Sequence, residues 1–334
     1  MEKTFRWGIL GTANIAGTFV DAVRRVPGAE VRAVASRSLS RAEEWARAQE
    51  VPRAFGSYLK LIESGEIDAV YLPLPNSLHD EWCLRAIENG LPVLCEKPFA
   101  LNAAQAEAVA EASVRSGVPV AEAFMYRFHP IYEKVLSAIA AGRIGALKTI
   151  ASRFTFLLDD RNSISASAEL GGGALMDVGC YCVNLSRLIA RAEPVRASAV
   201  AHMGEVDETM AGVLEFSGGI TASFEASVES FERHGAEIAG SEGSIIIEKP
   251  WFPGEDGASF VLRTPAGDET VETPGGNGYV LEIEDFMRAV LDKHPPRWPV
   301  EDAVKNMAVI DALYRSVRTD HSRASVGAVR PGGV

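Results

Sequence analysis

The first 125 residues alternate short apolar runs with longer amphipathic segments. Continuous apolar runs of strand length are typical of strands that are buried on both faces of a sheet. Because strands that alternate with helices pack as βαβ units, the pattern predicts a doubly wound parallel sheet, an α/β fold. The runs lie at residues 5–10, 30–35, 68–72, 92–95 and 119–124.

The pattern changes after about residue 125, where hydrophobic and polar residues alternate with a period of two. This alternation predicts a largely antiparallel sheet with one covered face. Its clearest examples lie at residues 147–156, 209–216 and 220–226, and helices are expected near 130–141, 280–292 and 301–318.

Together the two patterns predict two domains. Residues 1–125 would form the parallel-sheet domain, and residues 126–334 would form an α+β domain with an open, mostly antiparallel sheet. The C-terminal helix is a candidate to pack back on the first domain. The chain from Val326 to Val334, with its proline and glycines, is expected to fray.

Composition narrows the classes of function. The 334 residues are 47% apolar, with a formal net charge of −12 and a pI of about 5.1. This dispersed negative charge argues against a nucleic-acid or anionic-membrane partner. An apolar run long enough to cross a membrane and a signal-peptide core are both lacking, so we expect a cytoplasmic protein.

The four cysteines fit that compartment, because we interpret them as reduced thiols in or near the core: Cys83, Cys95, Cys180 and Cys182. Cys180 and Cys182 lack the second cysteine pair that a zinc site would need. His79 and His129 have no patterned partner. The sequence therefore predicts no metal site.

A small-residue turn follows the first strand. Gly11-Thr12-Ala13-Asn14-Ile15-Ala16 is a variant of the G-x-G-x-x-G fingerprint in which alanine replaces two glycines. Small residues let the backbone approach a pyrophosphate at a helix N-terminus, so the turn indicates a Rossmann-type dinucleotide site. The alternative is an ordinary tight turn between a strand and a helix.

The second strand ends in Ser36-Arg37-Ser38, with Arg41 close behind. An NAD site usually places a carboxylate here for the ribose 2′-hydroxyl, whereas a guanidinium suits a 2′-phosphate. The sequence thus favours NADP(H) over NAD(H) as cofactor. The alternative is that both arginines lie on a solvated helix start.

The strand at residues 92–95 leads into Glu96-Lys97-Pro98. In an open parallel sheet, ligands bind beyond the carboxyl ends of the strands. Lys97 would therefore be delivered to the place where a bound cofactor meets its substrate. The alternative is a surface lysine at a strand end.

A second group of candidate residues follows Gly171-Gly172-Gly173. Asp177 and Tyr181 are four apart on a predicted apolar helix, so they would share a face and line a cavity. The alternative is a polar pair satisfied by neighbouring backbone. Arg127 and Phe128, at the expected domain junction, and Tyr279, in a glycine-rich loop, are candidate substrate contacts, although Arg127 could equally make a structural ion pair.

The sequence resembles the Gfo/Idh/MocA oxidoreductases over nearly its whole length. The resemblance rests on four motifs, at residues 8–16, 74–79, 95–98 and 171–181. Within the family it is closest to the branch of dimeric dihydrodiol dehydrogenase, NADP-dependent D-xylose dehydrogenase and glucose–fructose oxidoreductase. Tyr181 stands where other branches often have histidine.

The resemblance implies that Lys97 and Tyr181 are catalytic and that Asp177 lies beside them. We expect dinucleotide contacts from Gly11, Thr12, Ala13, Asn14, Ile15, Ser36, Arg37, Arg41, Leu74, Pro75, Asn76, His79, Glu96 and Lys97.

The expected reaction moves a hydride between nicotinamide C4 and a sugar or polyol carbon. A phenol is a poor base at neutral pH, and an ammonium beside it favours the phenolate, so Tyr181 is the candidate acid/base and Lys97 its partner. Their roles could be exchanged. Two alternatives are an enzyme that retains its NAD(P) for transient oxidation of sugars, as glycosidase or aldose–ketose oxidoreductase, and a non-catalytic NADP sensor. The open sheet favours a homodimer, or a dimer of dimers, built through that sheet.

Overall fold

The computed structural model describes residues 4–319 and 324–327. It divides into two compact units. The first contains residues 4–125 and 279–304, and the second contains residues 126–278, 305–319 and 324–327. The expectation of fraying for residues 328–334 lies outside the described residues.

The first unit is built on a six-stranded sheet whose strands all run parallel, in the order β3-β2-β1-β4-β5-β6. The order reverses between β1 and β4, which is where doubly wound sheets bind their ligands. The predicted fold of this half is confirmed. The strands are β1 Phe5–Leu10, β2 Ala29–Ala35, β3 Arg53–Phe55, β4 Ala69–Leu72, β5 Val93–Glu96 and β6 Val120–Ala123.

Local sequence signals explain where these helices begin and end. Asn102 accepts a hydrogen bond from the backbone N–H of Gln105 at 3.0 Å, as expected of an N-cap, and Gly117 ends that helix with φ +69°. Trp7 and Phe19 pack edge to face at 5.2 Å between ring centroids inside the core. The helices of this unit are α1 Asn14–Val23, α2 Leu39–Ala48, α3 Tyr58–Ile62, α4 His79–Glu88, α5 Ala103–Ser116 and α8 Gly278–Asp292.

The second unit is built on a nine-stranded sheet in the order β14-β13-β12-β11-β7-β10-β9-β8-β15. Among the described strand pairs of this second sheet, only that of β7 and β10 is parallel. The open, mostly antiparallel sheet is therefore confirmed. Its strands are β7 Leu147–Leu157, β8 Pro194–Met203, β9 Asp207–Phe216, β10 Thr221–Ser227, β11 Glu229–Gly240, β12 Ser244–Ile247, β13 Ala258–Thr264, β14 Gly267–Thr273 and β15 Ala324–Ser325.

The two faces of this sheet differ. Helix α7, Cys180–Ala190, packs on β7 and β10, and α6, Pro130–Ala140, packs on β13 and β14. On the opposite face several large apolar side chains are exposed: Leu157, Val200, Val213 and Phe231. One face is thus covered by helices, and the other carries apolar groups into solvent.

Helix α9, Val300–Arg318, completes the structure and contributes residues to both units. No helix among the described residues is long and apolar enough to span a membrane. All four cysteines are buried free thiols.

Candidate active site

The turn after β1, residues 11–16, needs a glycine at position 11, and we call it the glycine turn. Gly11 has φ +116°, and a Cβ there would lie 3.0 Å from Cδ2 of Leu74 and 3.3 Å from the carbonyl oxygen of Pro73. The following helix, α1, begins after Ala13, whose side chain cannot cap the free N–H groups. The turn therefore leaves backbone donors for an anionic group, which fits the pyrophosphate of a dinucleotide.

Two arginines lie beside this turn. Nε of Arg41 donates to Oγ1 of Thr12 at 3.0 Å, so the residues after β2 reach those after β1. Arg37 is exposed and lies close to Tyr58. Burial raises the pKa of the Tyr58 phenol, and the positive charge of Arg37 lowers it. Ser36 is buried at the strand end. Guanidinium groups at this place fit a 2′-phosphate.

Lys97 follows β5 directly, and its peptide bond to Pro98 is cis. The backbone N–H of Lys97 donates to Oε2 of Glu96 at 3.2 Å, and the hydroxyl of Tyr71 donates to the other carboxylate oxygen at 2.6 Å. Burial raises the pKa of Glu96, while the bond from Tyr71 and the charge of Lys97 lower it. The ammonium thus lies next to a carboxylate that is held in place.

The loop after β4 carries Leu74, Pro75 and Asn76, and it leads through the 3-10 turn Asn76–Leu78 into α4. Leu74 and Asn76 are buried, and the side chain of Leu74 lies against the glycine turn. The structure therefore brings together the residues expected after β1, β2 and β4. Tyr279 lies in the first turn of α8. Burial raises the pKa of the Tyr279 phenol, and the nearby carboxylate of Glu96 raises it further.

His79 differs from the sequence expectation. Its exposed fraction is 0%, and both ring nitrogens face backbone carbonyl oxygens. The side chain therefore offers no surface in this arrangement, and its contact with a dinucleotide stays a prediction. The sequence could not reveal this, because the two carbonyls belong to loops after different strands.

In the second unit, Asp177 lies in a single π-helical turn, Leu175–Gly179, which runs into α7. Oγ of Ser165 donates to its carboxylate at 2.7 Å, and its backbone N–H donates to the carbonyl of Gly173 at 2.8 Å. The sequence predicts a regular α-helix from Asp177 to Tyr181, and the structure has a π turn at its start. π turns are rare and frequently lie at functional sites.

Asp207 supports the start of this turn, and sequence reasoning missed it. Its carboxylate accepts the backbone N–H of Leu175 at 2.7 Å and the hydroxyl of Tyr314 at 2.8 Å. A Cβ on Gly173 would lie 2.1 Å from Oδ1 of Asp207, so only glycine fits at that position. The pattern gave no signal for Asp207, because its partners Leu175 and Tyr314 are distant along the chain.

Tyr181 is 6% exposed and packs in an aromatic cluster. Its ring centroid lies 5.5 Å from Phe154, 5.7 Å from Trp251 and 5.8 Å from Tyr126. The hydroxyl of Tyr126 donates to Oδ1 of Asn184 at 2.7 Å. The rings hold the phenol of Tyr181 in an apolar environment, where charge effects are stronger than in water.

The two other substrate candidates of this unit lie in the 3-10 turn Met125–Phe128. Arg127 is only 3% exposed, whereas Phe128 is half-buried. Arg127 therefore offers little surface for a substrate in this arrangement. A buried guanidinium is typical of a structural ion pair, which was the alternative interpretation.

One polar cluster outside these regions was also missed by the sequence analysis. Nδ1 of His202 lies 2.9 Å from Oε1 of Glu229 and 3.8 Å from Oε2 of Glu208. Arg161 donates to Glu208 at 2.7 Å, and the hydrogen bond with Glu229 raises the pKa of His202. Potential ligand atoms of the histidine and both glutamates lie within 4.8 Å of one another. These hydrogen bonds give each of the three side chains a partner within the cluster.

Comparisons with known proteins agree with this architecture. A family profile described as an oxidoreductase family with an NAD-binding Rossmann fold, GFO_IDH_MocA, matches residues 5–124. The profile of the GFO/IDH/MocA C-terminal domain matches residues 132–246.

Relatives extend over almost the whole chain. D-xylose 1-dehydrogenase (NADP(+)) 2 of Haloferax volcanii is 37% identical, with 94% of this chain and 97% of that protein covered. Trans-1,2-dihydrobenzene-1,2-diol dehydrogenase of Xenopus laevis is 32% identical, with 92% and 96% covered. A crystal structure of a 3-ketoreductase from Actinomadura kijaniata with NADP and TDP-benzene has a TM-score of 0.89 at 29% identity, covering 94% of this chain and 98% of that one.

The parallel sheet, the glycine turn and these matches define an oxidoreductase that uses a nicotinamide dinucleotide. The chain belongs to the GFO/IDH/MocA family of oxidoreductases. The family expected from the sequence is confirmed, as are the fold class, the enzyme class and the NAD(P) cofactor.

Proposed function

We propose that the protein transfers a hydride between NADP(H) and a carbon that bears a hydroxyl in a sugar, polyol or vicinal diol. The names of the relatives, a xylose dehydrogenase and a dihydrodiol dehydrogenase, support this class of substrate. Both names describe oxidation of a secondary or anomeric alcohol next to another oxygen. Small polyhydroxylated molecules are the substrates that these chemistries share.

The preference for NADP(H) rests on the arginines after β2. Arg41 is joined to Thr12 of the glycine turn, and Arg37 is exposed beside it. Guanidinium groups bind phosphate by charge-assisted and often bidentate hydrogen bonds. The carboxylate that would hold a 2′-hydroxyl, and repel a 2′-phosphate, is missing from residues 36–41. This is the single observation that carries the cofactor proposal.

The bound dinucleotide supplies the hydride donor or acceptor at its nicotinamide ring. We assign Tyr181 as the residue that takes or gives the hydroxyl proton, and Lys97 as the residue that hydrogen-bonds the reacting oxygen and favours the phenolate. Asp177 would bind a second substrate hydroxyl or orient the ammonium of Lys97.

Variants of the Actinomadura ketoreductase support this pair. Crystal structures of that enzyme include one with a lysine replaced by alanine and one with a tyrosine replaced by phenylalanine. The two replaced residues are 84 positions apart in that chain, as are Lys97 and Tyr181 here. At 28–29% identity over nearly the whole chain, this spacing favours an equivalent pair.

The first experiment is a panel of aldoses, ketosugars, polyols and trans-dihydrodiols, assayed for NADPH formation or loss. With the best substrate, Tyr181→Phe should lower kcat by roughly 10²-fold or more, because general acid–base catalysis contributes about that much. The dissociation constant for NADPH should change little.

Tyr132→Phe is the matched control. Its hydroxyl bonds the carbonyl of Pro250 at 2.6 Å and its ring is 1% exposed, so this variant also removes one buried phenolic hydrogen bond. It should leave kcat within about threefold of wild type. Wild-type turnover in Tyr181→Phe would remove that residue from the mechanism.

A homodimer through the second-unit sheet is the assembly that we propose. Leu157, Val200, Val213 and Phe231 expose apolar surface on the face that the helices leave open. Arg233 pairs with Glu225 on the same face, so charges of both signs lie among the apolar groups. A face with both signs can meet a second copy of itself without like-charge repulsion, which favours a second copy as its occupant.

A further inference from the structure

Tyr71 is a core residue of the first unit whose hydroxyl has a charged partner. It lies in β4 and is 1% exposed, and its ring stacks on that of Phe19 with 3.8 Å between the centroids. Phenylalanine could fill this place in the core equally well. Because burying a hydroxyl is costly unless it is hydrogen-bonded, the partner of this hydroxyl should show what it does.

The partner is the carboxylate of Glu96, at the end of the neighbouring strand β5. The hydroxyl of Tyr71 donates to Oε1 at 2.6 Å, and Oε2 accepts the backbone N–H of Lys97 at 3.2 Å. The two strands are parallel, with Tyr71 opposite Leu94. One carboxylate thus joins a fixed side chain of the core to the backbone of the lysine that the proposed reaction needs.

Hydrogen bonding and charge act together on Glu96. Burial raises the pKa of its carboxyl, and the bond from Tyr71 is the strongest influence in the opposite direction, followed by the charge of Lys97. A donor bonded to an ionised carboxylate favours that form, because charge-assisted hydrogen bonds are stronger than neutral ones. In turn the anion attracts the Lys97 ammonium, and this attraction is stronger in a buried site than in water.

The other titratable groups around Glu96 come from β5 and α8. Burial raises the pKa of the Cys95 thiol well above its usual value, and Glu96 is among the lesser causes. Burial also raises the pKa of the Tyr279 phenol, and the carboxyl groups of Glu96 and Glu282 raise it further. Glu282 is 4% exposed. The thiol and the phenol are therefore neutral at pH 7, and Lys97 supplies the positive charge beside Glu96.

We propose that Tyr71 is a positioning residue for Lys97: its hydroxyl holds the carboxylate of Glu96 ionised and oriented, and that carboxylate fixes the backbone of Lys97 and attracts its ammonium. The inference rests on the proposed function, because it takes Lys97 as catalytic. Tyr71 lies in the core and acts only through Glu96. Its hydroxyl should therefore matter for the chemical step and little for the binding of the dinucleotide.

Tyr71→Phe removes the hydroxyl and keeps the ring that stacks on Phe19. With the best substrate of the panel, we expect kcat at saturating NADP+ to fall about tenfold, because the rate depends steeply on the placement of the reacting groups. The dissociation constant for NADP+, measured by fluorescence titration, should stay within about threefold of wild type. A wild-type kcat, or an equal loss of kcat and of NADP+ affinity, would overturn the proposal.

A double-mutant cycle tests whether Tyr71 acts through Glu96. Glu96→Gln removes the charge and leaves one oxygen where the carboxylate has two, so Tyr71 and the N–H of Lys97 no longer have an acceptor each. In this background Tyr71→Phe should change kcat by less than about twofold, against about tenfold in the wild-type background. The same loss of kcat in both backgrounds would mean that the two side chains act independently, which contradicts the proposal.

The pH dependence of kcat separates this role from a purely structural one. Without the bond from Tyr71 the pKa of Glu96 should rise, so the acid limb of the profile should move to higher pH in Tyr71→Phe. Tyr132→Phe is the control, because its hydroxyl is also bonded at 2.6 Å, but to the backbone carbonyl of Pro250. It should leave the limb in place. A limb that does not move in Tyr71→Phe either would sink the proposal.

A measurement on the wild type covers the case in which the variants fail to fold. In protein labelled with 13C-tyrosine, the Cζ resonance of Tyr71, assigned through its contact with Phe19, should shift as acid protonates Glu96. A resonance that does not respond to pH before the protein unfolds would refute the link. If the wild type turns over no substrate of the panel, the proposed function fails, while this titration still decides whether Tyr71 and Glu96 are coupled.

Discussion

At the scale of single residues, buried polar side chains fix the backbone in both units. The ring of His79 lies between carbonyls of the loops after β4 and β5, and the carboxylate of Asp207, which is 2% exposed, accepts the N–H of Leu175. Removing one partner of a buried hydrogen bond leaves the other unsatisfied at a cost of about 1–3 kcal/mol. Such residues should therefore be sensitive to substitution.

Arg37 should decide which cofactor is bound. Loss of one charge-assisted contact to a 2′-phosphate should weaken NADPH binding by about 10- to 100-fold in Arg37→Ala, since such contacts contribute about 1.5–3 kcal/mol. NADH has no 2′-phosphate, so its affinity should hardly change. Fluorescence titration with both cofactors measures the ratio. Arg85→Ala, at an exposed arginine of α4 paired with Glu88, is the control. Equal losses for the two cofactors would contradict the assignment.

Asp207 should make stability depend on pH. Burial raises the pKa of its carboxyl from 3.8 to about 6. The folded protein then binds this proton more tightly than the unfolded chain, so its contribution to stability is fully present below about pH 4 and is lost as pH rises through about 6. A shift of this size corresponds to about 3 kcal/mol.

Chemical denaturation of wild type and Asp207→Asn from pH 4 to pH 7 tests this, because other titrating groups cancel in the difference. The free energy of unfolding of wild type should decline relative to that of the variant from pH 4 to about pH 6 and level off towards pH 7. Parallel curves would show that the carboxyl titrates as it does in the unfolded chain.

At the scale of elements, the glycine segment before the π turn is the most constrained stretch of the second unit. The carbonyl of Gly173 accepts the N–H of Asp177, and Asp207 accepts the N–H of Leu175. These contacts fix where the π turn begins, and α7 with Tyr181 continues from it. The glycines therefore serve the placement of Asp177 and Tyr181 through backbone geometry.

Gly173→Ala should destabilise the protein by about 3 kcal/mol or more. Gly173 has φ +114°, and the new Cβ would lie 2.1 Å from Oδ1 of Asp207. Gly142→Ala is the matched control, since Gly142 has φ +71° with open space around a Cβ and should lose only about 1 kcal/mol. Denaturant titration measures both. Equal losses would mean that the contact with Asp207 does not restrict this position.

At the scale of the whole molecule, the open face of the nine-stranded sheet exposes large apolar side chains to solvent. Phe231 is 84% exposed there, although an aromatic side chain gains much from burial. Exposed apolar groups gathered on one face mark interaction sites more often than scattered ones do. The proposed dimer would cover this face.

Phe231→Asp should therefore weaken self-association. Placing a carboxylate in the centre of an interface leaves it desolvated and unpaired, so the dimer dissociation constant should rise by at least about 10²-fold. Sedimentation velocity over a range of concentrations measures this. Leu291→Asp, at a 60% exposed position of α8, is the control and should sediment like wild type. A monomeric wild type would contradict the proposed dimer.

The sequence by itself determined the class of fold and most of its elements. Periodicity of hydrophobic residues separated the parallel sheet from the antiparallel one, and Asn102 and Gly117 marked the ends of α5 as the structure has them. These features depend on neighbours along the chain. The same holds for the glycine turn and for the Lys97 strand end, whose position follows from the direction of a parallel strand.

Only the tertiary structure decided which side chains have surface to offer a ligand. His79 and Arg127 were expected to contact ligands, yet the fold buries them, and Asp207, Ser165 and the π turn gave no signal in the sequence. The physical reason is that a buried polar group is defined by its partners. Those partners come from distant parts of the chain, as Pro98 does for His79 and Tyr314 does for Asp207.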